Sequence, residues 1–175
     1  MRNVSLIPIE HGHYPLLFRL WNNPHLIQYT YHQYTATLEL AEARIQKILS
    51  NYKHAQPDGG PYLIFDAHTF IGYCGIDRAD ETKQKFELWY IIATEQHGKG
   101  FGSMVAQLLR NIAFEKMDAA FVIADVVRNN MASIRVLEKA KLQLIQELPN
   151  AFNRNGITAD LLKYSLSKED WLKAH

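Results

Sequence analysis

The feature that most constrains this chain is the stretch His97-Gly98-Lys99-Gly100-Phe101-Gly102. It lies between an apolar run, Phe86 to Ala93, and an amphipathic one. The latter begins at Ser103 and places Val105, Leu108, Leu109 and Ile112 at i, i+3, i+4 and i+7. The apolar run carries Phe86, Leu88, Trp89, Tyr90, Ile91 and Ile92, and it reads as a strand apolar on both faces, hence central in its sheet. The local order is strand, glycine-rich loop, helix. Glycines let a backbone approach an anion closely, and the first turn of a helix offers unpaired N–H groups at the positive end of its dipole. Such a turn suits a pyrophosphate, with Lys99 as a nearby cation. The alternative is a tight strand–helix connection that holds no ligand. Two nucleotide-binding patterns fit poorly: G-x-x-x-x-G-K-[ST] is absent, and the third glycine of G-x-G-x-x-G would fall where Ser103 stands.

The rest of the pattern surrounds this unit with a mixed sheet. Val4 to Ile9 alternates as a first strand. Tyr14 to Trp21 is apolar at helical spacing and is stopped by Asn22-Asn23-Pro24. Pro24 to Tyr34 reads as a second short helix or loop rich in aromatics, and Thr37 as the N-cap of a helix with Leu38, Ala41, Ile45, Ile48 and Leu49 on one face. After a loop over His54 to Pro61, the runs Pro61 to Ala67 and Phe70 to Ile76 form a hairpin. Arg78 to Lys85 is a polar turn before the central strand. Beyond the first amphipathic helix, Ala119 to Val127 is a strand, Asn130 to Ala140 a helix, Leu142 to Leu148 a strand, Pro149 to Gly156 a turn and Ile157 to Leu166 a last strand. Strands alternating with helices in this way predict an α/β sheet with helices on both faces.

Composition narrows the function classes. The chain has 175 residues and neither repeat nor linker, so residues 1–175 are expected to form a single domain. A formal net charge of +1 creates no global field toward nucleic acid or an anionic membrane. Cys74 is the only cysteine, which excludes an internal disulfide and fits a reducing compartment. Met1 to Pro8 lacks the apolar core of a signal peptide, and the apolar run Ala119 to Val127 is short and broken by Asp125, so a cytoplasmic protein is expected. The eight histidines are scattered, with no cysteine or carboxylate cluster at ligand spacing, and no metal is expected.

Two motifs in order carry a family resemblance. The loop resembles the Q/R-x-x-G-x-G/A motif of the GNAT superfamily of N-acetyltransferases, with His97 in the Q/R place, Gly100 as first glycine and Gly102 as last. The longer stretch Glu87 to Gly100 is similar to E-I-G-Y-W-L-x-P-x-x-x-G-K-G of the Rim-type branch, which acetylates ribosomal-protein N-termini. Asn130-Met131-Ala132-Ser133-Ile134-Arg135-Val136-Leu137-Glu138-Lys139 resembles N-x-x-S-x-x-V-L-E-K of the same branch, and Phe18-Arg19-Leu20-Trp21-Asn22-Asn23-Pro24 resembles its W-x-N/D-x-P entry. Two departures stand out: His97 replaces Gln or Arg, and Lys141-Leu142 replaces the Gly-Phe that usually ends the second helix.

The resemblance implies a mixed, mostly antiparallel central sheet of about seven strands with helices on both faces. It implies direct transfer of an acetyl group from acetyl-CoA, used as co-substrate without a metal, to a primary amine. The acceptor would be a protein N-terminus or a small molecule such as a polyamine, amino acid or aminoglycoside; a non-catalytic acyl-CoA sensor is the other alternative. Homodimers are common in this family. The cofactor site would comprise Ile92, His97, Gly98, Lys99, Gly100, Phe101, Gly102, Ser103 and Asn130, with Ile92 contributing main-chain contacts. Glu87 is the candidate base, a carboxylate within an otherwise apolar strand. Ser133 is the candidate that protonates the departing thiolate or orders the pantetheine end, because Leu137 occupies the place where many members carry a tyrosine. Tyr29, Tyr31 and Tyr34 are candidates for the acceptor wall, with His32 among them. Asp160 is a further group that could attract a cation, although a surface position on the last strand is the plainer reading.

Overall fold

The chain opens as an antiparallel meander interrupted by helices. The computed structural model describes residues 3–52, 60–80, 84–154 and 156–174. Strand β1 (Val4–Pro8) is followed by a 3-10 turn at His11–His13 and helices α1 (Tyr14–Trp21), α2 (Pro24–Ile27) and α3 (Leu38–Tyr52). Strands β2 (Tyr62–Asp66), β3 (Thr69–Arg78) and β4 (Lys85–Ile92) come next. A 3-10 turn at Thr94–Gln96 then leads to α4 (Phe101–Lys116), β5 (Phe121–Val127), α5 (Met131–Lys139), β6 (Gln143–Arg154), β7 (Ile157–Ser167) and α6 (Lys168–Lys173). The seven strands form one sheet in the order β1-β2-β3-β4-β5-β7-β6, in which only the β4–β5 pairing is parallel.

Alternation along the central strand builds a core on each face. Phe86, Leu88 and Ile92 of β4 pack with α4 and α5, among Val105, Leu109, Ile134 and Leu137. Ile91, with Trp89 beside it, packs on the opposite face against Leu17 and Trp21 of α1 and Ala41 and Ile45 of α3. A strand covered by helices on both sides has to be apolar on both sides, as the sequence of β4 is.

The feature that positions the site is a split between the two parallel strands. Pairing runs from Lys85↔Phe121 through Phe86↔Val122 to Glu87↔Ile123 and stops there, although β4 continues to Ile92 and β5 to Val127. Beyond that point β4 remains paired with β3 up to Gly72↔Ile92, and β5 with β7 up to Val127↔Leu161. Each strand follows its own antiparallel neighbour, and the right-handed twist drives the two apart.

Three stretches differ from the sequence pattern. Strand β6 runs on to Arg154 through the expected turn, because a register shift between Leu148 and Phe152 absorbs Pro149, which has no N–H to give a ladder. Asn150 adopts φ 54 there and donates its N–H to Asp160 Oδ1 at 3.0 Å, and Phe152 returns fully buried opposite Ala159. Helix α6 was not expected; Ser167 caps it by accepting from the Asp170 N–H at 3.1 Å. Helix α5 ends without glycine: Lys141 takes φ 68 and its N–H reaches Glu138 O, while the Leu142 N–H reaches Leu137 O. That is the hydrogen-bond pair of a Schellman ending, made here by a non-glycine residue. Residues 54–59 of the expected loop and 81–83 of the expected turn lie outside the described residues. Among the described residues, no helix is long and apolar enough to cross a membrane.

Close approach of β3 to the end of β4 depends on Gly72, where a Cβ would stand 2.1 Å from the Ile91 carbonyl oxygen. The neighbour is backbone and cannot swing aside. Gly72→Ala is expected to cost about 1–3 kcal/mol, a fall in Tm of roughly 3–10 °C, measured by thermal denaturation.

Candidate active site

The loop after β4 is shaped as its sequence suggests. Gly98 and Gly100 have φ 73 and 83, in the left-handed region that favours glycine. Gly100 is the N-cap of α4, and no side chain caps that helix start. The N–H groups of the first turn, around Gly102 and Ser103, are therefore not covered by a capping side chain, and a sixteen-residue helix stands behind them. Gly102 lies close against α5, where a Cβ would be 3.0 Å from Val136 Cγ2. The Phe101 side chain belongs to the core, so only its backbone can face a ligand. Lys99 Nζ donates to Gln96 Oε1 at 3.0 Å. His97 turns back on the strand it follows: its Nε2 donates to the Ile92 carbonyl at 2.8 Å, which ties the loop to the end of β4.

The split opens a cavity of about 430 Å³ that reaches both faces of the sheet. On the α4/α5 side, Asn130 caps α5 and accepts from the Ser133 N–H at 3.2 Å, and Ser133 Oγ lies 2.8 Å from the Tyr90 hydroxyl. All three residues line the cavity. Burial pushes the Tyr90 phenol up to about 12, partly offset by the Ser133 hydrogen bond, so Tyr90 stays protonated at neutral pH. Tyr90 was not singled out from the sequence; its signal was the alternation, which puts the one phenol of β4 on the face of Phe86, Leu88 and Ile92.

On the other side the wall is acidic and aromatic. Glu87 lines the cavity together with Asp77 on β3 and Asp125 on β5. Burial raises the Glu87 pKa above the usual carboxylate range; the Asp125 and Asp77 charges add to the effect and Lys163 opposes it. Asp77 accepts from Trp89 Nε1 at 2.8 Å, and Asp125 pairs with Lys163 at 2.9 Å. Tyr29 and Tyr31 line the cavity with Phe152. Arg154 holds this wall in place, its Nη1 donating to the Tyr31 carbonyl at 3.0 Å and its guanidinium lying 5.0 Å from the Tyr31 ring centre. Tyr34 is elsewhere, its hydroxyl accepting from Asn22 Nδ2 at 3.2 Å, and does not line the cavity. Asp160 pairs with Arg128 at 3.2 Å outside it.

Three comparisons with known proteins agree. The profile of the family described as "Acetyltransferase (GNAT) domain" matches residues 3–143. The uncharacterized N-acetyltransferase p20 of Bacillus licheniformis is 25% identical over 158 residues, 89% of this chain and 88% of that protein. Spermidine N-acetyltransferase from Vibrio cholerae, solved in complex with CoA and spermine, superposes with a TM-score of 0.83 at 18% identity, over 97% of this chain and 98% of that one. RimL, a ribosomal L7/L12 α-N-protein acetyltransferase solved with coenzyme A, gives a TM-score of 0.83 at 21% identity over 95% of each chain. The two structural likenesses establish the fold.

His32 makes the aromatic wall pH-sensitive. Its ring lies between Tyr73 and Trp89, at 5.7 and 5.6 Å, and Arg44 Nη2 donates to its Nδ1 at 3.0 Å, which leaves the proton on Nε2. Burial, then the Arg44 charge, lowers its pKa from 6.5 to about 4. Between those values the unfolded chain binds a proton that the folded chain does not, so this contribution is complete above pH 6.5 and is lost as pH falls toward 4. At full extent it is about 3 kcal/mol. Urea unfolding across this window is expected to show falling stability, with a shallower slope in His32→Gln.

Proposed function

Because the chain belongs to the GNAT family of acetyltransferases, and is by that membership an acetyl-CoA-dependent N-acetyltransferase, we propose that it acetylates a small cationic primary amine entering from the acidic face of the β4–β5 split. One observation carries this reading: Glu87 on one side of the opening and the Tyr90–Ser133 pair on the other line the same cavity. Such an arrangement suits direct transfer, in which the two reactants meet in one place and much of the rate comes from holding them there.

The residues present fit acetyl-CoA. The uncapped start of α4 and the left-handed glycines at 98 and 100 suit a pyrophosphate, with Ser103 and Lys99 close by. The end of β4 at Ile92, unpaired with β5, and Asn130 at the head of α5 bound the space for the rest of the molecule. Acetyl-CoA supplies the acetyl group as a thioester. Glu87 takes the proton that a protonated amine must lose before it can attack, through a water where direct reach is lacking. Ile92 offers its main-chain N–H to the acyl oxygen as charge builds there. Tyr90 keeps its own proton and lies 2.8 Å from Ser133 Oγ; in this reading the phenol donates to Ser133 and leaves the Ser133 O–H for the departing thiolate.

The acceptor class follows from the wall. Asp77, Glu87 and Asp125 favour a substrate that arrives as a cation, and Tyr29 and Tyr31 give its body a flat apolar surface. A cavity of about 430 Å³ is of small-ligand size. A protein N-terminus is the second reading, supported by the Rim-type motif from Asn130 to Lys139.

CoA release from acetyl-CoA, followed over spermidine, phenylethylamine, an aminoglycoside and N-terminal peptides, tests the reading. Turnover is expected on an amine of the first three. Glu87→Gln should lower it by about 100-fold or more with CoA affinity unchanged, and Ser133→Ala should lower it less. Peptide turnover alone would select the protein acceptor, and an undiminished Glu87→Gln variant would remove Glu87 as the base.

A further inference from the structure

Four charged side chains cross the acceptor face of the sheet on adjacent strands. Asp77 on β3 stands opposite Glu87 on β4, and Asp125 on β5 opposite Lys163 on β7. The alternation of β5 and β7 puts Asp125 and Lys163 on the face opposite Val122, Ala124, Leu162 and Tyr164, which fill the α4/α5 core. Like charges facing each other across a strand pair destabilise a sheet. The Asp125–Lys163 pair is itself half-withdrawn from solvent, with side chains 17% and 34% exposed, and both carboxylate oxygens lie within 3.3 Å of Nζ. An ion pair removed from water contributes little net stability, because desolvation offsets the attraction. Asp125 lines the cavity with Glu87, and Lys163 stands behind it on β7, which gives the pair a different use.

We propose that Asp125 and Lys163 are positioning residues for the acceptor: Asp125 holds the incoming ammonium beside Glu87, and Lys163, through its ion pair, fixes the Asp125 carboxylate and balances the charge around Glu87. The proposal rests on the reading of Glu87 as proton acceptor. The other charged and titratable groups facing this region are engaged elsewhere or carry no charge that changes this balance in the opposite sense. Asp77 acts in the same sense as Asp125 while accepting from Trp89. Arg44, from α3, is turned to the Trp21 ring at 4.0 Å and to His32, Thr35 and the Gln33 carbonyl. Burial keeps His32 neutral and Tyr73 protonated. Tyr29 and Tyr31 form the aromatic wall, and Tyr90 faces the opposite side of the sheet. Lys163 is thus the cation that opposes the rise of the Glu87 pKa, and Asp125 the strongest neighbouring anion behind it.

Carbon-13 NMR of the Glu-labelled protein, with the Glu87 carboxyl assigned by its loss in Glu87→Gln, tests the charge relation directly. Asp125→Asn removes an anion and is expected to move the Glu87 titration to lower pH. Lys163→Met removes a cation and is expected to move it higher; Lys163→Arg should leave it in place. A merely structural pair would not move it in opposite directions. Ethylammonium chloride, added as probe, should perturb the wild-type Glu87 resonance saturably, with affinity about tenfold weaker in Asp125→Asn. A Glu87 titration unmoved by both charge removals, in variants that still melt cooperatively, would overturn the proposal, as would equal ethylammonium affinity in wild type and Asp125→Asn. Failure of the base reading is separate: it would appear as full turnover in Glu87→Gln, whatever the NMR titrations do.

Discussion

Three residue pairs, Lys85↔Phe121, Phe86↔Val122 and Glu87↔Ile123, make up the whole strand register between the two halves of the sheet. One half is the meander β1-β2-β3-β4, and the other is β5-β7-β6. Each is held by its own antiparallel ladders, so the parallel seam alone yields to twist. The opening lies where the seam ends. Glu87 belongs to its last pair and lines the opening beside it. The glycine-rich loop leaves the free end of β4 and is tied to it by the His97–Ile92 hydrogen bond. The α4 start, Tyr90, Ser133 and the acidic wall all take their positions from that separation.

The two walls of the opening differ in electrostatics because strand alternation delivers different residues to each face. Even-numbered positions of β4 and β5 fill the α4/α5 core and bring Tyr90 to Ser133. Odd-numbered ones bring Glu87 and Asp125 to the α3 side, near Tyr29 and Phe152. Burial then acts on each wall: it holds the Tyr90 phenol protonated and raises the Glu87 pKa. In the proposed reaction the first wall supplies a donor and the second a proton acceptor.

Much of this was legible in the sequence, and the reasons for the rest are specific. The apolar run Phe86 to Ala93 announced a central strand, and the glycines after it announced the loop, because both are local patterns. Ser133 and Asn130 were legible through a motif. The partner of Ser133 was not, since Tyr90 is 43 residues away and only the packing of α5 against β4 joins them. Asp125 was visible as a carboxylate interrupting an apolar run, yet its meaning depended on a register with Lys163 that no local signal supplies. Tyr29 and Tyr31 reached the cavity and Tyr34 did not: the Thr30 side chain turns the chain by accepting from the His32 N–H, and Asn22 takes the Tyr34 hydroxyl. The extension of β6 was hidden by Pro149, whose turn chemistry is real but is spent on a bulge inside a hairpin.

The central claim is that one opening between β4 and β5 receives both reactants, the thioester from the α4/α5 side and the amine from the acidic side. Initial velocities measured while acetyl-CoA and the acceptor amine are varied against each other test it most directly. The account predicts double-reciprocal lines that intersect, since both reactants must be bound together for transfer. Parallel lines, with an acetylated enzyme trapped when the amine is withheld, would contradict it and would move the chemistry onto a side chain of the protein.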